Sequence, residues 1–191
     1  GHRAVAELQR RGLLNAIITQ TVDGLHQAAG ACGVVELHGG LDRVLCLACG
    51  RPESRRGLDA RLHAANQAFT ATVAAINPDG DVALDDGELA GFCMVDCLGC
   101  GAGPLKPDVV FFGENVPKAR VERCYAAVEA ARSLLVLGSS LTVLSGFRFV
   151  RHAARHAVPV AIVNQGPTRG DDLASVRLDV ALGAALSALV A

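Results

Sequence analysis

Short apolar runs alternate with longer stretches in which hydrophobic and polar residues recur at helical spacing over most of the chain. The short runs favour buried strands of a parallel sheet, and the longer stretches favour helices that connect them. This alternation predicts an α/β fold, in which a Rossmann-like parallel sheet carries helices on both faces. The predicted helices are 2–11, 117–132 and 141–157, and the predicted strands are 14–19, 34–37, 108–112, 134–137 and 158–163.

Two close pairs of cysteines interrupt this pattern, Cys46-Leu-Ala-Cys49 and Cys97-Leu-Gly-Cys100. Four thiolates in two such pairs surround one Zn²⁺ tetrahedrally, so we predict a small Cys₄ zinc-binding module with a closed structural site. A redox dithiol and unrelated buried thiols are the alternatives.

Between the two cysteine pairs, residues 55–76 favour a helix and residues 77–81 favour a turn. We therefore expect a zinc-binding module at 43–103, flanked by the first and second parts of the sheet domain at 1–42 and 104–191.

The composition excludes several classes of protein. The 191 residues carry a formal net charge of −1, and they include no Trp and one Tyr, which argues against nucleic acid as a partner. No apolar stretch approaches the ~20 residues that span a membrane. Seven cysteines, four of them in metal-like pairs, fit a reducing compartment, and we expect a cytoplasmic protein. The other three (Cys32, Cys93 and Cys124) are expected to be buried free thiols. Nothing in the sequence indicates an oligomeric state.

Small polar residues follow three of the predicted strands. They are Thr19-Gln20-Thr21, Gly138-Ser139-Ser140 and Asn164-Gln165-Gly166. Because ligands of parallel sheets bind at the carboxyl ends of the strands, these segments predict a nucleotide pocket. The Gly-x-Gly-x-x-Gly signature of a dinucleotide-binding fold does not follow any predicted strand.

Several segments together resemble the sirtuins, the NAD-dependent protein lysine deacylases. They occur in the order of that family, and the resemblance covers nearly the whole chain. The class II branch is the most similar, because of the segments Asn77-Pro-Asp-Gly-Asp81 and Gly166-Pro-Thr-Arg-Gly-Asp-Asp172. The other matching segments are 18–26 (ITQTVDGLH), 36–39 (ELHG), the two cysteine pairs, 105–114 (LKPDVVFFGE), 138–140 (GSS) and 162–164 (IVN).

His38 is the candidate catalytic residue. It follows an apolar run and precedes two glycines, and an imidazole is a suitable general base for a sugar hydroxyl near neutral pH. A structural histidine in a loop is the alternative. The resemblance implies that the acyl-lysine oxygen attacks C1′ of the nicotinamide ribose and expels nicotinamide. His38 then deprotonates a ribose hydroxyl, on the route to O-acyl-ADP-ribose.

The resemblance also implies NAD as co-substrate, one structural Zn²⁺ per chain and acyl-lysine proteins or peptides as substrates. The acyl-lysine segment would pair as an added strand with residues 109–114. Thr21 departs from the family, which has Asn at this position. The implied NAD-binding residues are Gln20, Thr21, Val22, Asp23, Gly138, Ser139, Ser140, Asn164, Gln165, Gly166 and Leu182. The implied substrate-binding residues are Val109, Val110, Phe111, Phe112, Gly113 and Glu114.

The family also has an opening strand and a Gly-rich loop for the NAD phosphates, which this chain lacks. A shortened chain and a gene product that begins here are both open. We expect a deacylase. The alternatives are a catalytically silent zinc scaffold, a mono-ADP-ribosyltransferase that uses the same pocket, and a zinc-ribbon nucleic-acid binder, which the near-zero charge disfavours.

Overall fold

The computed structural model contains two units, and the strands of the larger unit pair in parallel. The structure describes residues 1–70, 75–76, 82–83 and 86–191. One unit consists of residues 1–40 and 109–191, and the other of residues 41–108. The larger unit is therefore built from two separate segments of the chain.

Seven α-helices, one short 3₁₀-helix (Asp171–Leu173) and ten strands occur among the described residues. None of these helices combines the length and apolar character needed to cross a membrane. The helices are α1 (His2–Arg10), α2 (Leu25–Ala28), α3 (Arg55–Ala65), α4 (Asp86–Leu89), α5 (Lys118–Glu129), α6 (Leu144–Arg155) and α7 (Leu182–Val190). The strands are β1 (Ile18–Thr19), β2 (Val35–Glu36), β3 (Gly39–Cys46), β4 (Pro52–Ser54), β5 (Ala75–Ile76), β6 (Val82–Ala83), β7 (Leu105–Val109), β8 (Leu134–Leu137), β9 (Val160–Val163) and β10 (Val176–Leu178).

The strands of the larger unit form two parallel sheets. In one sheet β9 lies between β10 and β8, with Leu134 opposite Val160. In the other, β1 pairs with β2, with Ile18 opposite Val35. The predicted parallel pairing is confirmed, although the strands of this unit are divided between two sheets.

Helices cover both faces of the β8–β10 sheet. Leu134 and Val136 pack into a core cluster that includes Val128 of α5 and Phe149 of α6. Leu137 packs into a second cluster, formed with residues of α1 and α7. Because alternate side chains of a strand point to opposite faces, the two clusters lie on opposite sides of this sheet. The predicted arrangement of helices is thus confirmed.

Several predicted boundaries are wrong. The strand predicted at 108–112 lies at Leu105–Val109 and includes Pro107. β7 is an edge strand, where a residue without an N–H is tolerated. The helix predicted from 141 begins at Leu144, because Leu141 has a φ of 56° that a helix does not accept. β10 and α7 were not predicted.

The smaller unit has β3 as the central strand of a three-stranded sheet. β4 pairs antiparallel with β3, and β7 lies on the other side of β3. Arg43 of β3 donates to the Asp108 carboxylate at 2.7 Å. Of the helix predicted at 55–76, only Arg55–Ala65 is helical in the described residues, and the predicted turn at 77–81 lies outside them.

The three cysteines outside the pairs differ in exposure. Cys124 of α5 is fully buried, and burial raises the pKa of its thiol to about 11, which makes it an unreactive packing residue. Cys32 and Cys93 are exposed, so their predicted burial is wrong. Each lies in an irregular segment and is held through its backbone instead: the Cys32 N–H donates to Gln9 at 2.9 Å, and the Cys93 N–H donates to Asn66.

Replacing Gly170 by alanine is expected to destabilise the larger unit by about 1–3 kcal/mol, because the new methyl group overpacks the core. A Cβ at Gly170 would lie 2.7 Å from Leu141 and 3.1 Å from Ile162. Denaturant unfolding measures the effect. Gly183→Ala is the matched control, since nothing lies within 4 Å of its Cβ position. Equal stability of the two variants would contradict the prediction.

Candidate functional site

His38 lies between β2 and β3, and both nitrogens of its half-buried ring have partners. Its Nδ1 is 3.1 Å from the carbonyl oxygen of Gln20, and its Nε2 is 2.7 Å from the Ser145 hydroxyl. A carbonyl can only accept, so Nδ1 carries the proton. In the neutral ring, Nε2 therefore accepts from Ser145 and is the basic nitrogen.

The backbone around His38 fixes where the imidazole can reach. The N–H of Leu37 donates to Thr19 at 2.8 Å, which joins this segment to the end of β1. Directly after His38, Gly39 has a φ of 90°, a conformation that glycine adopts readily and other residues do not. Gly39 is the first residue of β3, so the chain enters the next strand directly after His38, and the ring is held at the junction of β2 and β3 by the local geometry.

Ser145 was not predicted from the sequence. It lies in the first turn of α6, far from His38 along the chain, and only the packing of α6 brings the two together. Its sequence neighbours, Leu144 and Gly146, give no signal of a polar site. A lone serine at a helix start is usually read as a cap, and here Val143 occupies the cap position.

Ser145→Ala is expected to lower kcat for a reaction in which His38 is the general base by about three- to tenfold. This is the effect of losing one hydrogen bond of ~1 kcal/mol. The imidazole would keep its bond to Gln20 and lose the partner that fixes Nε2. Ser145→Thr, which retains the hydroxyl, is the control. Steady-state kinetics on both variants checks the prediction, and an unchanged kcat in the alanine variant would contradict it.

Gln20 links the loop after β1 to the loop after β8. Its side-chain amide donates to the Ser139 hydroxyl at 3.1 Å. Gly146 makes room for this side chain, because a Cβ there would lie 2.7 Å from the Gln20 Oε1. Two predicted NAD-binding segments and His38 are thus joined through Gln20, whose backbone binds the imidazole.

Thr21 and Asp23 are engaged within their own loop. The Thr21 hydroxyl lies 2.9 Å from that of Thr19 and 3.2 Å from the Asp23 carboxylate. The same Asp23 oxygen accepts from the Leu25 N–H at 2.9 Å, at the start of α2. Val22 is half-buried between them. One carboxylate oxygen therefore holds the loop, and the other has no hydrogen bond within it.

The segment Gly138–Ser140 leaves the end of β8 without entering a helix directly. Gly138 has a φ of 59°, and α6 begins four residues after Ser140. The predicted junction of strand and helix at these residues is therefore wrong. Ser139 accepts from the Leu141 N–H at 3.2 Å, so both hydroxyls of the segment lie in a loop.

The segment Asn164–Gly166 lies beside Gly138, whose N–H donates to Val163 at 2.9 Å. It is held by Asp179, which accepts from the Gly166 N–H at 2.9 Å. This bond and the neighbouring Arg177 hold the pKa of Asp179 below its usual range. Gln165 is exposed in the same turn. Asp179 and Arg177 were not predicted, because only the turn geometry shows what they bind.

Leu182 is the first residue of α7 and packs against the second core cluster. Its Cδ2 lies 2.9 Å from where a Cβ on Gly138 would be. Leu182 therefore touches the edge of the predicted site and also fills the core. The two positions do not exclude each other.

The predicted substrate segment approaches His38 through its backbone. The Val110 N–H donates to the carbonyl of His38 at 2.9 Å. Phe111 and Glu114 then close a turn, in which each backbone N–H bonds to the other residue and Gly113 has a φ of 89°. Phe112 is 99% exposed and Val109 is half-buried. Glu114 thus has a structural function in this turn.

The four paired cysteines converge in the smaller unit. The sulfurs of Cys46 and Cys100 are 3.7 Å apart, as are those of Cys49 and Cys97. Tetrahedral Zn–S bonds of 2.3 Å require sulfurs about 3.8 Å apart, so the arrangement fits one zinc ion. Gly103 completes the site, because a Cβ there would lie 2.2 Å from the Cys46 sulfur.

The environment of Cys46 favours the thiolate that a zinc ion requires. The backbone N–H of Cys49 donates to its sulfur and is the main reason that the pKa of Cys46 is lowered to about 7. Cys46 and Cys97 are 2% exposed. No carboxylate or histidine among the described residues joins the cluster, which is the composition of a closed structural site.

The structure thus combines a parallel α/β unit, which has a histidine at a strand end, with a unit whose four cysteines fit a zinc ion. This combination agrees with the result of a family comparison. A family model described as the Sir2 family matches residues 1–145. The chain belongs to the Sir2 family, and the predicted resemblance to sirtuins is confirmed.

The chain is 60% identical to NAD-dependent protein deacetylase 1 of Streptomyces coelicolor over 187 residues, which is 98% of this chain. It is 50% identical to an NAD-dependent protein deacetylase of Xanthomonas axonopodis pv. citri over 188 residues, again 98% of this chain. The chain spans 62% and 64% of the lengths of these two relatives.

Solved structures of the same family have a similar fold. A structure of Sir2 with a p53 peptide and NAD⁺ superposes with a TM-score of 0.74 and 27% sequence identity, and the match covers 98% of this chain and 67% of that chain. The predicted α/β fold is therefore confirmed at the level of the family.

Proposed function

We propose that this chain carries the catalytic histidine and the zinc module of an NAD-dependent protein lysine deacylase. NAD would supply the sugar carbon that takes up the acyl oxygen. The observation that carries the proposal is the state of His38, whose Nδ1 proton is committed to Gln20 and whose Nε2 is basic. A general base for a ribose hydroxyl needs this arrangement.

The proposed NAD-binding residues are those at the carboxyl ends of the parallel strands. Gln20 and Ser139 are connected to each other, and Gln20 is connected to His38, so a ligand held by these residues would lie near the base. Asn164, Gly166 and the carboxylate of Asp23 would supply further polar groups. This position agrees with the general rule for ligands of parallel sheets.

The proposed substrate is an acyl-lysine segment that pairs with residues 109–114. The backbone bond from Val110 to His38 supports this, because a strand added there would bring the lysine close to the imidazole. Phe111 and Phe112 are exposed and available for apolar contact with the substrate. Main-chain pairing would make binding tolerant of the peptide sequence.

A second candidate function, a catalytically silent zinc scaffold, is favoured by Thr21. Its hydroxyl is turned toward Thr19 and Asp23, and it has no amide group to offer a ribose. The zinc module at 43–103 would be structural in either case. Cytoplasmic localisation also remains our proposal.

Nicotinamide release from NAD by the purified chain, with a panel of acyl-lysine peptides, tests the proposal. A deacylase shows peptide-dependent release and a matching amount of free lysine peptide. Nicotinamide release without peptide would indicate that the same site catalyses a different reaction of NAD. No release by a folded, zinc-bearing chain would favour the silent scaffold, and Thr21→Asn then tests whether the threonine is the cause.

A further inference from the structure

A second group of metal-binding side chains lies where the C-terminal ends of α5 and α6 meet. Glu129 is the last residue of α5, His152 lies in the last turn of α6, and His156 caps that helix. One ligand atom from each residue lies within 4.8 Å of the others. We propose that these three residues form a second zinc site, separate from the four cysteines and independent of NAD chemistry.

The helix pair holds this cluster in place. Val128, Phe149 and Ala153 belong to one buried core cluster, so α5 and α6 cannot separate at this end without opening the core. The ring of Tyr125 lies 4.5 Å from that of His152 and restricts its rotation. The i, i+4 spacing puts His152 and His156 on one face of α6, with ring centroids 4.1 Å apart.

The hydrogen bonds show which ring nitrogens would bind a metal. The Nδ1 of His156 lies 2.9 Å from the carbonyl oxygen of His152, which can only accept, so Nε2 is the nitrogen with the lone pair in the neutral ring. The Nε2 of His152 donates to Glu129 Oε1 at 2.7 Å, so a metal that binds here replaces this proton and lies between the two atoms. The carbonyl end of α6 adds partial negative charge, which favours a cation.

The donor set indicates which ion binds. Two imidazoles and one carboxylate, with a fourth position for water, are typical of an open zinc site. Tetrahedral donors around zinc lie about 3.4 Å apart, so the exposed Glu129 carboxylate must move slightly away from His152, which it contacts at 2.7 Å, and the exposed His156 ring must rotate toward them.

The charge around these three residues further limits which metal ion can bind. Arg148, Arg151 and Arg155 line a recess of about 120 Å³ together with His152 and Tyr125. Three guanidinium groups disfavour ions that are held mainly by charge, such as Ca²⁺ and Mg²⁺. They repel zinc as well, and zinc is favoured over these ions because imidazole is one of its usual ligands and is not a usual ligand of Ca²⁺ or Mg²⁺.

Zinc binding by the purified chain tests the proposal. Equilibrium dialysis against zinc, followed by elemental analysis, is expected to give two ions per chain for the unaltered protein. The double variant His152→Ala/His156→Ala is expected to bind one, and Glu129→Gln to weaken the second site by about tenfold or more. His63→Ala, which removes an exposed histidine of α3, is the matched control and should bind two.

Cobalt identifies the ligands. The first Co²⁺ should show sulfur-to-metal charge transfer from the cysteines, and the second should add absorption without it. One ion per chain in the unaltered protein would overturn the proposal. So would a second ion that survives in the folded double variant, or one that binds with a sulfur charge-transfer band. Circular dichroism establishes that each variant is folded.

Discussion

His38→Ala lowers kcat for peptide-dependent release of the deacylated lysine peptide by about 100-fold or more, if the proposed deacylase function holds. The expected size is that of losing a general base, which contributes roughly 10²–10⁴ in rate. The imidazole contacts the Gln20 carbonyl and the Ser145 hydroxyl, and neither of these groups can replace it as a base near neutral pH. Single-turnover assays that follow the acyl group are the measurement.

His63→Ala is the matched control for this experiment, because it removes an exposed imidazole from α3 and should leave the rate unchanged. The fold of the His38 variant is checked by circular dichroism, since the side chain also holds the loop after β1 through Gln20. A folded His38 variant with a rate within threefold of the unaltered chain would exclude His38 as the base. Thermal unfolding should differ little between the two variants.

Cys97→Ser removes tightly bound zinc and unfolds the smaller unit. The four sulfurs have the spacing that one zinc ion needs, and structural zinc contributes on the order of 10 kcal/mol to the folding of small modules. The unit has few alternatives for stability, because Val44 and Leu58 are its only fully apolar buried side chains among the residues described. Limited proteolysis is expected to cut within 41–108 and to spare α5 and α6.

Cys93→Ser is the control, because Cys93 is exposed and outside the four-cysteine cluster. It should retain zinc and the protease resistance of the unaltered chain. Strong chelators should reproduce the effect of Cys97→Ser, and added zinc should reverse it. A Cys97 variant that keeps both its tightly bound zinc and its resistance to protease would show that the cysteines have another function.

The parts of this fold that were predictable are those with a strong local signal. The strand at 134–137 and the helix at 2–11 were placed within a residue, because a continuous apolar run and a regular helical period leave few alternatives. α7 was missed because its residues are nearly all apolar, so no polar face marks the period. β3 was missed because it begins with two glycines and depends on pairing with β4 and β7.

The same limit applies to the candidate site. The cysteine pairs were found because a tight spacing in the sequence is itself the geometry of the site. His38 was found from its position after a strand and from the family resemblance. Ser145 and Asp179 act through partners that are distant in the chain, and their own neighbours carry no signal. A contact of that kind becomes visible only when the chain is folded.

The division of the larger unit into two segments has a consequence for how the protein is made. Residues 41–108 are contiguous and can fold as soon as they leave the ribosome, before all of residues 109–191 have emerged. Closing an excursion of that length costs about 3–4 kcal/mol of chain entropy. β3 and β7, at the two ends of the smaller unit, are neighbouring strands. Once the smaller unit has folded, they hold the ends of the excursion close together. Most of this entropy cost is then removed before the two segments of the larger unit pack against each other. A smaller unit that does not fold without zinc would then slow the step that brings His38 and Ser145 together.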